Sequence, residues 1–315
     1  MLNNTTLIQD KSTVIKKSIW KDMWKEKIYY IYLLPTFVLL IVFSYYPAFD
    51  AIRNSFFEWS AQGVRYYVGL GNFKSMVKDT ILIASIKNLI ILLIFGIIIG
   101  LSVPIIVAEL IFNIRNEKLK FWYRWLIVVP IVVPGMVVLL LWQFIYDPNV
   151  GLLNGILKVI GLVSWQRTWL NDPDIALYCL IFIGFPWISG TNTLIILAGL
   201  NNIGRDIIDS SLIDGVTGFR RIWYIDLPLI LGQIKVLLIL GLIGGIQGFG
   251  SQLILTRGGP GYSTMVPGLH MYQQAFLYDR LGYACAIGLS MFIVILILTY
   301  INMRYLRSSI EYEAK

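Results

Sequence analysis

The chain has 315 residues, 57% of them hydrophobic and only 14% charged, with a net charge of +8. A water-soluble domain runs near 45–50% apolar and about 25% charged, so this chain lacks the polar surface a soluble globule needs. The same apolar content excludes a disordered chain. The class is all-α integral membrane, and the positive excess points to loops facing an anionic lipid leaflet rather than to nucleic acid.

Residues 1–27 form a basic segment in which Trp20 and Trp24 interleave with Lys16, Lys17, Lys21 and Lys25. It reads either as a short amphipathic helix on the inner leaflet or as a solvated basic leader. It is not a cleavable signal, because the apolar run after it starts late and is too long. Six stretches then reach the length of about 20 residues that a hydrocarbon core requires. They are Ile28–Tyr46, Leu89–Ala108, Trp125–Phe144, Ile175–Leu200, Val236–Ile254 and Gly282–Met303, and none holds an Asp, Glu, Lys or Arg. Aromatic residues gather at their edges, as interfacial anchors do, among them Tyr29, Tyr30, Tyr45, Tyr46, Trp122 and Trp142. Backbone groups in lipid must be satisfied within the segment, which makes the spans helices.

With the N-terminus inside, inward segments carry 17 Lys and Arg and outward ones nine. The positive-inside rule therefore favours cytoplasmic N- and C-termini, with residues 307–315 as a cytoplasmic tail. Between the first two spans, Val68–Phe73 reads as a turn before a short helix. The two cysteines, Cys179 and Cys285, fall in apolar stretches and read as packing residues. The single histidine, His270, cannot build a metal cluster and reads as a surface residue of the last outer loop.

What the spans lack narrows the mechanism. Proton-coupled carriers use ionisable groups near the midplane, and there are none here; coordination of sodium by carbonyls has no positive support. The chain has no G-x-x-x-x-G-K-[ST] to cradle ATP and no G-x-S-x-G elbow with a plausible base. Uphill transport would then draw its energy from another chain. The rival readings are a self-contained carrier or channel and an intramembrane enzyme.

Between spans four and five, residues 205–228 read as a short helix to about Ile213, a turn at Gly215, and a second helix ending at Pro228. Leu212, Ile213, Phe219, Ile222 and Trp223 put apolar surface on a segment that cytoplasm should solvate. That makes it either a docking surface or an amphipathic connector lying on the membrane. Spans four and five are glycine-interrupted. Gly184, Pro186 and Gly190 accompany Thr191 and Asn192; Gly241, Gly244, Gly245, Gly248 and Gly250 accompany Gln247 and Gln252. Broken helices with free carbonyls and amides make polar sites without charge. A neutral sugar suits such a site, with Trp187 or Phe249 as a stacking face. Packing is the competing role, since Gly96-x-x-x-Gly100 and Gly241-x-x-x-Gly245 are good close-approach faces.

The run Asp209-Ser210-Ser211, three residues, Gly215, nine residues, then Ile225-x-Leu227-Pro228 resembles the EAA loop of binding-protein-dependent ABC importer permeases. Asp-Ser-Ser in place of Glu-Ala-Ala keeps the carboxylate and the small side chains. Ala198-Gly199-Leu200, Leu253–Pro260 with Ser263-Thr264, Tyr283–Ala286, and Val129-Pro130 with Trp142, Asp147-Pro148 and Gly151–Asn154 resemble the sugar-importing branch, covering residues 28–306. The resemblance implies a six-helix type I importer permease fold in a bacterial plasma membrane, with Asp209, Ser210, Ser211, Asp214, Gly215, Ile225, Leu227 and Pro228 in an ATPase-coupling loop. It implies a pathway drawn from spans four and five, where we expect Trp187, Thr191, Asn192, Gly245, Gln247, Gly248 and Gln252. The expected partners are a second homologous permease, two cytoplasmic ATPase subunits that hold ATP and magnesium, an extracytoplasmic solute-binding protein, and lipid. The chain itself binds no cofactor on this reading. The cargo is a carbohydrate or, alternatively, a glycerol phosphodiester or another polar solute.

Overall fold

Residues 27–63 and 65–305 are described by a computed structural model. The basic segment with Trp20 and Trp24 and the tail 307–315 lie outside the described residues. Helix α1 (Lys27–Asn54) runs continuously through a π turn at Ile41–Tyr45. Nothing between Lys27 and Leu40 is buried. A helix this apolar with no buried face is one whose solvent is lipid.

From Asn54 onward the chain forms a second unit. Its first element departs from the all-α expectation: β1 (Phe57–Trp59) and β2 (Arg65–Tyr67) pair antiparallel, Phe57 opposite Tyr67. Gly69, at φ +55°, turns the chain into α2 (Gly71–Lys78), the short helix expected after Val68–Phe73. Asp79 then caps α3 (Thr80–Phe112), its Oδ1 accepting from the Ile81 and Leu82 amides at 3.0 Å. At 33 residues α3 outruns the expected span at both ends, adding turns that bear Lys87 and Glu109.

The third expected span is not one straight helix. Helix α4 (Glu117–Val128) passes through a 3₁₀ turn (Val129–Val132) and meets α5 (Gly135–Ile145) at an 86° bend. Pro130 and Pro134 cannot donate backbone hydrogen bonds there, so the ladder breaks at this point. After α6 (Leu152–Val159), the fourth span appears as α7 (Ala176–Phe182) and α8 (Gly190–Asn201). The glycine- and proline-bearing linker 183–189 separates the two. Then come α9 (Arg205–Ile213) and α10, a helical run of Gly218–Arg221, a π turn Ile222–Asp226 and Leu227–Leu229. Helix α11 (Leu231–Gln247) breaks at Gly248 before α12 (Gly250–Leu255). Helices α13 (Pro267–Phe276) and α14 (Leu281–Tyr305) complete the order. Among the described residues, four helices are long and apolar enough to cross a membrane, and five if the bent α4–α5 pair is one span.

Packing concentrates at the two ends of α3. Near its C-terminus Ala108 and Ile111 join Ile127, Ile196, Leu197, Leu200, Ile230 and Leu237 from α4, α8 and the start of α11. Near its N-terminus Leu82 packs with Tyr283 and Ile287, while Ile81, Leu89 and Leu92 pack against Met265, Val266 and Leu269. Gly190 permits α8 to cross α4, since a Cβ there would lie 2.1 Å from the Ile127 carbonyl oxygen. The middle of α3 is left unfilled.

Candidate functional site

The unfilled middle is a cavity of about 420 Å³. Its walls are α3 (Leu89 to Gly100), the end of α7 with its linker, and the glycine-rich face of α11 and α12. Gly184, at φ +82°, and Trp187, at φ +60°, fold the linker back so that the indole faces the cavity. The ring is fixed by Nε1 donating to the Ile181 carbonyl at 3.0 Å and by an edge contact with Phe185. Gln252 is buried on the opposite side and accepts from Ser251 Oγ at 3.0 Å. Among the described residues, no charged side chain lines the cavity.

Of the seven expected pathway residues, the cavity brings together Trp187, Gly245, Gly248 and Gln252. Asn192 lines an adjoining cavity of about 240 Å³, where its Nδ2 donates to the Gly100 carbonyl at 3.2 Å. Thr191 and Gln247 are exposed and line neither cavity. The wall contributed by α3 was not expected. Its signal was the Gly96–Gly100 spacing, open between packing and pathway. Among the described residues, nothing beyond the helix's own backbone comes within 4 Å of a Cβ built on Gly96, Gly100 or Gly241, whereas one on Gly245 would meet Leu93 at 2.6 Å. Only the last is a close-packing glycine.

The loop between α8 and α11 has the expected shape. Helix α9 ends in a Schellman motif: the Val216 amide donates to Ser211 O at 2.8 Å and the Gly215 amide to Leu212 O at 3.1 Å. Gly215 sits at φ +71° with open space around it, so backbone conformation rather than room demands glycine. Asp209, Ser210 and Asp214 are exposed; Ser211 is buried, its hydroxyl donating to Ile208 O at 2.6 Å. Ile225 and Leu227 are half-buried, Leu227 against the core at the end of α3, and Pro228 is exposed. Ile213, Phe219, Trp223 and Tyr224 stand out from the loop, 87, 77, 60 and 68% exposed, with Phe219 stacked on Trp223. The loop thus exposes four large apolar side chains, two of them stacked, together with the carboxylates of Asp209 and Asp214.

His270 corrects the sequence reading. It is 1% exposed, and its Nε2 lies 2.8 Å from Asp79 Oδ2, which also accepts from the Tyr283 hydroxyl at 2.7 Å. One carboxylate thus ties α13 and α14 to the start of α3. Burial works to raise the Asp79 carboxyl, but the Leu82 amide, Tyr283 and His270 outweigh it and hold it below the usual carboxylate range. The neighbouring loop, Arg257 to Thr264, closes on a 2.6 Å contact between the Thr256 and Thr264 hydroxyls, Thr264 donating to Gly259 O.

A neutral cavity among broken membrane helices, with an exposed amphipathic loop in the same unit, is a layout that suits a membrane permease. Residues 95–312 match the family of binding-protein-dependent transport system inner membrane components, and the chain belongs to that family. It is 29% identical over 284 residues to the probable ABC transporter permease protein YurN of Bacillus subtilis, covering 90% of this chain and 97% of that one. It is 28% identical to the multiple sugar-binding transport system permease protein MsmF of Streptococcus mutans, covering 87% and 93%. Its fold matches a crystal structure of a bacterial ABC transporter that imports the acidic polysaccharide alginate, with a TM-score of 0.79, 24% identity, and 92% and 100% of the two chains covered.

Proposed function

We propose that this chain is the permease subunit of an ATP-driven importer for a neutral carbohydrate, working by alternating access. The observation that carries the reading is the cavity itself: glycine walls, one fixed indole and one buried amide, with no charge. Sugar rings bind by hydroxyl hydrogen bonds and by stacking on aromatic faces, and neither needs an ion. The sugar-transport name carried by MsmF supports the cargo class. An acidic polymer or a phosphodiester would call for a cation at the cavity wall, and none lines it among the described residues.

In this reading the bent α4–α5 pair is the third crossing and α7 with α8 the fourth, giving six in residues 28–306. The Lys and Arg bias puts both termini and the α9–α10 loop in the cytoplasm of a bacterial plasma membrane. Asp209, Ser210, Ser211, Asp214 and Gly215 then form the joint with a cytoplasmic ATPase subunit, the exposed Ile213, Phe219 and Trp223 supplying its apolar contact. Ile225, Leu227 and Pro228 lead from it into α11. ATP and magnesium bind on that partner, present in two copies. A second, homologous permease completes the pathway. A solute-binding protein delivers cargo to the outer segments 47–88 and 256–281.

The test is uptake by proteoliposomes holding the full complex with its binding protein, offered labelled maltotriose, arabinotriose, chitobiose and glycerol 3-phosphate. ATP-dependent accumulation of a neutral sugar, lowered by Trp187→Ala, supports the reading. Selective uptake of glycerol 3-phosphate would replace the cargo assignment.

A further inference from the structure

Helix α10 runs through Ile230 directly into α11, so any movement of the loop reaches one cavity wall through the backbone. The facing wall belongs to α3, which has no covalent link to the loop. Leu227 packs against the core at the end of α3, and one charged side chain of α10 reaches that end by hydrogen bonding. Arg221 of α10 donates through Nη2 to Asn113 Oδ1 at 2.6 Å and through Nε to Asp226 Oδ2 at 3.0 Å, and its guanidinium lies 5.8 Å from the Phe112 ring. Phe112 and Asn113 are the last residue and the C-cap of α3.

Both ends of this bridge are held. The Asp226 side chain is 0% exposed and that of Arg221 13%, so their pairing is desolvated and costly to break. Asn113 is anchored to α3 by its Nδ2, which donates to the Glu109 carbonyl at 2.8 Å, and Lys120 Nζ donates to the Phe112 carbonyl at 3.3 Å. The Arg221–Asn113 bond has the short length of a charge-assisted hydrogen bond. Helix α3 then runs unbroken from Asn113 to the cavity, 13 residues or about 20 Å to Gly100.

We propose that Arg221 and Asn113 are positioning residues that carry movement of the α9–α10 loop to α3, so that the stroke reaches both walls of the cavity. This rests on the reading of that loop as the coupling joint. Asp226 fixes the guanidinium on α10, and Asn113 takes the motion up at the end of α3.

The test uses the full complex, with Cys179 and Cys285 replaced by alanine and one reporter cysteine at Gly100→Cys on α3 or Gly241→Cys on α11. A Cβ at either position meets nothing within 4 Å. Labelling by a membrane-impermeant maleimide is compared without nucleotide and after trapping with magnesium ATP and vanadate. In the parent both reporters should respond by at least about fivefold, the low end of ordinary coupling between sites. Asn113→Ala, an exposed substitution, should abolish the response at Gly100→Cys and keep it at Gly241→Cys. Arg221→Lys should do the same, and the double variant should be no worse than either, as members of one linkage behave. A Gly100→Cys response that survives in both single variants would overturn the proposal, as would loss of both reporters' responses at once. If Gly241→Cys fails to respond in the parent, or Gly215→Val leaves its response intact, the coupling-joint reading itself falls.

Discussion

Gly215 and Asp79 show how much one residue can hold. At φ +71° Gly215 occupies a conformation that costs a residue with a Cβ about 1–2 kcal/mol, and nothing else crowds it. Gly215→Val should therefore leave membrane insertion intact but lower solute moved per ATP hydrolysed, whereas Gly215→Asn, which tolerates this region, should stay near the parent. Equal ratios for Val and parent would remove the loop's shape from the mechanism. Asp79 makes a pH-dependent contribution with a defined sign. Its carboxyl is held below the ordinary value in the folded protein, so its stabilisation is full above that value and is lost as pH falls through the depressed one. The gap in unfolding temperature between parent and Asp79→Asn should close as pH falls below about pH 4. A gap still full at pH 3 would contradict the assignment. The Gly215 turn was legible beforehand but the Asp79 cluster was not: His270 and Asp79 are 191 residues apart, and a lone histidine in a loop gives no local sign of burial.

At the scale of elements, local pattern succeeded where the cause is local. The α9 terminus and the Gly215 turn follow from a glycine after an apolar helix, and the short α2 helix from the glycines before it. The breaks in spans four and five follow from clustered glycine and proline. The 86° bend at Val129–Val132 did not follow, because Pro130 and Pro134 permit a break while neighbouring helices set its angle. The β1–β2 hairpin was equally hidden, being too short for its alternation to register. It is held from outside itself: a Cβ on Gly282 would lie 1.9 Å from the Phe57 carbonyl oxygen. The crossing of α8 over α4 is as tight, so Gly190→Ala should cost about 1–3 kcal/mol by overpacking, read as a lowered unfolding temperature in detergent. An unshifted value would mean the two helices are not in contact there. The α3 wall escaped notice because a Gly-x-x-x-Gly spacing looks the same whether a neighbour fills it or leaves it open.

Taken whole, the second unit has packed ends and an uncharged middle, with an apolar loop standing out beside one packed end. Composition and spacing carried the membrane class and the glycine turn of the loop; which helix faces line the cavity required the packing. The central claim is that the work is done elsewhere and relayed through that loop. The most direct test is solute accumulation in proteoliposomes with the energy source as the only variable. A neutral sugar should accumulate only when the ATPase partner and ATP are present, and not with an imposed proton or sodium gradient. Concentrative uptake driven by such a gradient, with this chain alone in the bilayer, would contradict it.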